Sequence, residues 1–199
     1  HYYLLASKDG ITIGKRYFKH ENNKEDYPFS PSGHNLYDNN SKLYYCRDFD
    51  NIVYQIHEDS VVPRFRINLP NPLPASMIEE RPNEMSLLRS GYSLGITDIY
   101  EYGGLLFFRF VKDGYIWSCL YNVEESKQVY CAKRIKFLDS SLIDTIDGIY
   151  KDCFYSILTP EYLDYAFSEN PLEDYPDLFK TYDVEGDNPV IAFYRAVVR

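Results

Sequence analysis

Ile52-Val-Tyr-Gln-Ile-His-Glu-Asp-Ser-Val-Val-Pro-Arg-Phe-Arg-Ile67 is the stretch whose reading decides the fold. An aromatic and β-branched run leads into a short polar turn, and a second run carrying basic residues returns from it. The pattern recurs as Trp117-Ser-Cys-Leu-Tyr-Asn-Val-Glu-Glu-Ser-Lys-Gln-Val-Tyr-Cys-Ala-Lys-Arg-Ile135. It occurs once more at the start, from Tyr2-Tyr-Leu-Leu-Ala to Gly14-Lys-Arg-Tyr-Phe18, with Lys8-Asp9-Gly10 as the expected turn. A hairpin returning at intervals of about 50 to 70 residues is the mark of a repeat architecture, and antiparallel units of this length read as propeller blades.

Composition points the same way. Aromatic residues make up 17% of the chain, with 21 tyrosines and 12 phenylalanines, and these side chains suit pleated, half-buried surfaces. At 199 residues and 45% hydrophobic content the chain can bury a core of its own. The net charge of −9 repels phosphate backbones, so no nucleic-acid partner is expected. No apolar run approaches the roughly 20 residues of a membrane-spanning helix. The chain opens at His1 directly into strand-like sequence, which reads as a piece of a longer protein.

Working outward from Ile52, Asn35-Leu-Tyr37 and Lys42-Leu-Tyr-Tyr-Cys-Arg47 supply two more strands, so residues 35–69 form a four-stranded meander. Four prolines between Pro70 and Gly95 exclude a central strand there, and Ser76 to Glu80 has the composition of a short helix. A second meander spans 96–135, with Leu105 to Val111 apolar enough for a strand buried on both faces. A last unit, 147–199, contains strands at Gly148–Asp152, Cys153–Leu158 and Val190–Val198. It also holds a helix that Thr159 caps and Pro160 opens, and a second short helix over Leu172–Tyr182. The expectation is an all-β fold: one propeller-like domain comprising hairpin 1–18, blades 35–69 and 96–135, and a closing blade 147–199.

Asp50-Asn-Ile-Val-Tyr-Gln-Ile56 followed by Val61-Val-Pro-Arg-Phe-Arg-Ile67 resembles the repeated signature of the cell-envelope six-bladed β-propellers of gut anaerobes. The ending Asp187-Asn-Pro-Val-Ile191 resembles the C-terminus of that family. The resemblance implies antiparallel four-stranded blades of a partial six-bladed ring, exported by a lipoprotein-type signal and held outside the cytoplasm. It assigns no activity. The main expectation is a non-enzymatic binding or scaffold module of the cell envelope, using a propeller face for a glycan or an envelope protein as partner. A missing propeller half or a second copy is a further possible partner.

Candidate chemistry is sparse. Asp48 and Asp50, which bracket Phe49 in a tight turn, would with Asp98 and Glu101 line one mouth of a central channel and bind a cation or a sugar. In the alternative reading they act as the acid and base of a polysaccharide hydrolase or lyase. The competing structural reading is that Asp and Asn here cap turns. His57-Glu58-Asp59 falls in a hairpin turn, where successive side chains diverge, so no metal site and no cofactor is expected. Lys15, Arg16, Arg64, Arg66, Lys133 and Arg134 recur in the hairpins, either as a ring for acidic glycans or as protection of strand edges. Among the four cysteines, Cys119 and Cys131 lie on the two arms of one hairpin. They face each other if its turn is odd in length and point to opposite faces if it holds two or four residues.

Overall fold

The computed structural model describes residues 2–7, 12–19, 35–80, 82–133, 135–137, 140–143, 146–169, 181–183, 185–186 and 188–195. The chain is mostly antiparallel sheet with a few short helices. The first hairpin pairs β1 (Tyr2–Ala6) with β2 (Lys15–Lys19), in register Leu5 to Arg16. Its expected turn at Lys8-Asp9-Gly10 lies outside the described residues.

The first meander is a four-stranded sheet in sequence order: β3 (Leu36–Asn39), β4 (Lys42–Cys46), β5 (Ile52–Ile56) and β6 (Val61–Arg66). Alternation sends Tyr37, Tyr44, Cys46 and Val53 fully into the core, because successive strand residues face opposite sides. Pro63 sits on β6 at the sheet edge, where its missing N–H breaks no ladder between central strands. The hairpin β1–β2 packs on this sheet through Phe18, whose ring lies 5.4 Å from Tyr45 and 4.6 Å from Tyr54. Lys15 also reaches Asp59, in the β5–β6 turn, at 2.7 Å.

The proline-rich connection holds two short helices, α1 (Ala75–Glu79) and α2 (Glu84–Leu88). The first matches the sequence reading; the second was missed. Asn83 caps α2 by accepting from the Ser86 N–H at 2.9 Å, and Leu87 is buried beneath it with Leu94 and Val111.

The second meander repeats the first: β7 (Ser93–Tyr102), β8 (Leu105–Lys112), β9 (Tyr115–Asn122) and β10 (Lys127–Ala132), again in sequence order. β8 is buried on both faces along nearly its whole length, as its composition predicts. Gly95 lies in a left-handed conformation (φ +100°), and a Cβ there would stand 2.8 Å from the Phe49 Cα, so two backbones meet where only glycine fits.

The β9–β10 turn settles the cysteine question by an unforeseen route. Its four residues, 123–126, begin the ladder at Asn122–Lys127, which by itself would offset Cys119 from Cys131. A β-bulge between Gln128 and Tyr130 adds one residue to β10, and beyond it Cys131 lies opposite Cys119, where the two form a disulfide.

β10 ends at Ala132, so Ile135 does not belong to that hairpin as the sequence suggested. It opens a small separate hairpin, β11 (Ile135–Phe137) with β12 (Ser140–Ile143). The last sheet has three strands: β13 (Gly148–Tyr150), β14 (Cys153–Leu158) and β15 (Val190–Tyr194). Between the last two runs α3 (Pro160–Glu169), with Thr159 Oγ1 accepting from the Tyr162 N–H as expected of its cap. Its apolar stripe puts Leu163 and Ala166 against Leu158. The expected helix at 172–182 falls almost wholly outside the described residues.

The first strands of the three sheets are neighbours. β3 and β7 run side by side in the same direction: Tyr37 donates to the carbonyl of Thr97, and Asn39 donates to that of Ile99 while accepting from the Glu101 N–H at 2.6 Å. Side chains of β3 thereby satisfy the edge of β7 that β8 leaves open. β13 meets both. Asn40, in the β3–β4 turn, donates to the Lys151 carbonyl in the β13–β14 turn, and Tyr100 donates to the carbonyl of Asp147 at 3.0 Å. One aromatic core, including Tyr37, Tyr100, Phe107 and Phe154, runs through all three sheets.

Candidate functional site

A cavity of about 250 Å³ opens where β3, β7 and β13 come together. β3 and its turn contribute Tyr37, Asp38 and Asn40; β7 contributes Tyr100; the last sheet contributes Asp147, Ile149 and Tyr155. The wall depends on a glycine: a Cβ on Gly148 would stand 2.7 Å from the ring of Tyr155, its cross-strand partner. Any side chain there would have to push that ring aside.

The polar groups of the cavity differ in their freedom. Tyr100 is fixed by its bond to the Asp147 carbonyl. Burial, joined by the nearby Asp98 and Asp147 charges, pushes its phenol well above the ordinary range, so it stays a protonated donor. One carboxylate oxygen of Asp147 accepts the Ile157 N–H at 2.7 Å. Asp38 is exposed, and no ion-pair partner for it occurs among the described residues. Among the described residues, no lysine, arginine or histidine lines the cavity. Lys151 is close in sequence, but its ammonium lies over the Tyr150 ring at 5.2 Å.

The four carboxylates singled out in the sequence lie elsewhere. Asp98 is buried in β7 and takes the Arg109 guanidinium at 2.7 Å across the β7–β8 ladder. Glu101, three residues on and so on the opposite face, reaches the first meander. Its carboxylate accepts from Tyr44, from Lys42 at 2.9 Å and from Arg64 at 3.1 Å. Burial favours its neutral form, but those three donors prevail and hold the carboxyl below its usual range. Asp50 accepts from Arg47 at 2.9 Å and from the Asn51 N–H at 2.7 Å, closing the β4–β5 corner. Asp48 sits in that same corner, half-buried. None of the four lines the cavity.

Three of the recurring basic residues have partners, two of them in a neighbouring unit. Arg64 is the extra residue of a bulge in β6 and turns to Glu101; Lys15 holds Asp59; the Lys133 ammonium lies 3.6 Å from the centre of the Tyr115 ring. Arg134 is outside the described residues. His57 to Asp59 occupy the β5–β6 turn, and among the described residues no group of three His, Cys, Asp or Glu is placed to hold a metal. No described helix is long and apolar enough to cross a membrane.

The sequence reading missed the cavity because its residues come from three separate units. The only local signal was the Asp38-Asn39-Asn40 turn following Tyr37.

No family model matches the chain, and no curated protein matches it. Among solved structures it is similar to the crystal structure of a "putative exported protein" from Bacteroides fragilis, with a TM-score of 0.70 and 15% identity. The likeness covers 96% of this chain and 57% of that protein, so this chain spans little more than half of its length. At that identity the similarity speaks for the fold alone.

Proposed function

We propose that this chain is part of an extracytoplasmic β-propeller and serves as a binding module, taking a glycan or a protein partner at the cavity where its first strands meet. The observation that carries the reading is that convergence. Two sheets of four strands and one of three, each in sequence order, bring their first strands together around a polar and aromatic hollow. Radially arranged blades have this topology, and ligands favour the mouths of such assemblies.

Two further facts support export. The structural neighbour carries that description, and the Cys119–Cys131 disulfide suits an oxidising compartment. A lipoprotein anchor is part of the same proposal and rests on the family resemblance.

The hydrolase or lyase alternative is the weaker reading. Asp50, Asp98 and Glu101 are each held by a cation of this chain, an arrangement that suits tie-points between strands and sheets better than proton transfer. The test is an immobilised panel of glycans and envelope proteins probed with the wild-type chain and with Tyr155→Ala. Retention that the variant loses, with no product released, supports the module. Cleavage of a glycan, or retention indifferent to Tyr155, overturns it.

A further inference from the structure

The three sheets turn between their first and second strands in the same way: two residues separate Asn39 from Lys42, Tyr102 from Leu105 and Tyr150 from Cys153. Counting from these turns aligns the sheets residue by residue. Tyr44, Phe107 and Tyr155 share one position on the second strand, and Val53, Ser118 and Ile191 share one on the third. Both positions lie on the face that a sheet turns to its successor. Tyr44 donates to Glu101 of the second sheet, and Tyr100, the cross-strand partner of Phe107, donates to the Asp147 carbonyl at the last sheet. In the first two sheets this face is covered, and Val53 and Ser118 are buried. In the last sheet it is open: Ile191 is 56% exposed, and Tyr150, Ile157 and Phe193 on the same face are each about half exposed.

The other end of the stack is open as well. Leu43, Leu106 and Phe154 share the position that faces the preceding sheet, as the 6.3 Å ring contact of Phe154 with Tyr102 shows. Leu106 and Phe154 are buried, but Leu43 is 37% exposed, beside the Tyr45 and Tyr54 that Phe18 of the first hairpin covers. The open face of the last sheet carries no charge at its described strand positions, whereas the outer strands β6 and β10 expose Arg66 and Lys127. Charge keeps an exposed sheet surface apart from other molecules, and a contiguous apolar patch without it marks an interface. Among the described residues the last sheet has three strands where the others have four, and the first hairpin stands as two strands by itself.

We infer that these two ends fit each other and that a second copy of this chain supplies the match: the last sheet of each copy packs on the open face of the other's first sheet. Tyr150 holds the position of Tyr102, so it meets Leu43 of the second copy as Tyr102 meets Phe154 within the chain. A sheet seated there lies beside the first hairpin, and the outer edge of β15 comes next to it. Contacts of this kind are head-to-tail, and two of them close a pair into a ring. That ring holds six sheets, three from each copy, within the roughly four to eight blades that propellers use. The inference rests on the propeller reading of the three sheets, and it names what completes the ring.

The test is analytical ultracentrifugation of the chain at micromolar concentration, with Phe193→Asp and Leu43→Asp as variants. Neither residue lines the cavity, and both are exposed enough in the single copy for the variants to fold, which circular dichroism checks. The expected result is a species of twice 23.5 kDa, weakened about thirty-fold or more by either substitution. An equimolar mixture of the two variants should regain part of the pairing, because one of its two contacts then joins unaltered faces. A chain that stays monomeric at these concentrations overturns the inference. So does a dimer that Phe193→Asp breaks and Leu43→Asp leaves intact, which is a like-to-like contact of two last sheets. The module reading is decided separately, by whether the glycan and protein panel shows Tyr155-dependent retention.

Discussion

Glu101→Gln is the perturbation that most sharply separates a structural tie from a catalytic carboxylate. The carboxylate of Glu101 is one-tenth exposed and gathers three donors from the first meander: Lys42, Tyr44 and Arg64. Glutamine keeps the shape and an acceptor for Tyr44 but removes the charge. Lys42 and Arg64 are 39% and 41% exposed, so water screens them and each pair contributes at most about 1 kcal/mol. The Tyr44 hydroxyl, fully buried, exchanges a charge-assisted bond for a neutral one, about 1 kcal/mol more. The sum is about 1–3 kcal/mol, or a fall of about 3–10 °C in Tm for a domain of this size. Urea denaturation followed by circular dichroism at pH 7 measures it. The pH dependence follows from the direction of the shift. Because the folded carboxyl lies below its ordinary range, its stabilisation is full above the unfolded value of about 4.3 and fades as pH falls through the folded one. The gap between wild type and variant should therefore narrow between about pH 5 and pH 3. Equal stability at pH 7, or a gap that widens on acidification, would refute the tie.

Other substitutions test the framework. Gly95→Ala forces a Cβ to within 2.8 Å of the Phe49 backbone at a left-handed φ, and should cost about 2–4 kcal/mol in urea melts; a loss under 0.5 kcal/mol would contradict the close approach. Leu106→Asp places a charge in β8 at a site 3% exposed and should leave no cooperative transition; a soluble variant that melts sharply would contradict the burial. Reducing Cys119–Cys131 opens a cross-link spanning 12 residues and should lower stability by about 3 kcal/mol. Alkylation of both thiols in the unfolded, unreduced chain would show that the bond does not form.

Local chemistry made much of this fold legible and left specific parts dark. The β5–β6 and β9–β10 hairpins were readable because alternation and a polar turn are written in consecutive residues. The same holds for α3, with Thr159 before Pro160 and apolar residues at helical spacing. The α2 helix was hidden because Pro82 and the short Glu84–Leu88 run leave no periodicity to detect. The disulfide turned on a bulge at Val129, and nothing in Lys127-Gln-Val-Tyr130 marks which residue falls out of register. The carboxylates Asp98 and Glu101 were conspicuous as charges in an apolar strand. Their partners Arg109, Lys42 and Arg64 belong to other strands, so the sequence could not tell a tie from a site. The cavity needed the meeting of three units, which pairing within each unit does not specify.

The central claim is that the first strands of successive sheets converge. The turn after β3 and the turn after β13 lie 111 residues apart in sequence, yet the Asn40 amide nitrogen is 3.3 Å from the Lys151 carbonyl oxygen. Cysteines introduced at Asn40 and Lys151, with Cys153 replaced by serine, measure that proximity directly through cross-linking by a short bis-maleimide. The account predicts rapid intramolecular linkage in the folded monomer that disappears in urea. A folded chain that links only between molecules, or not at all, would contradict it.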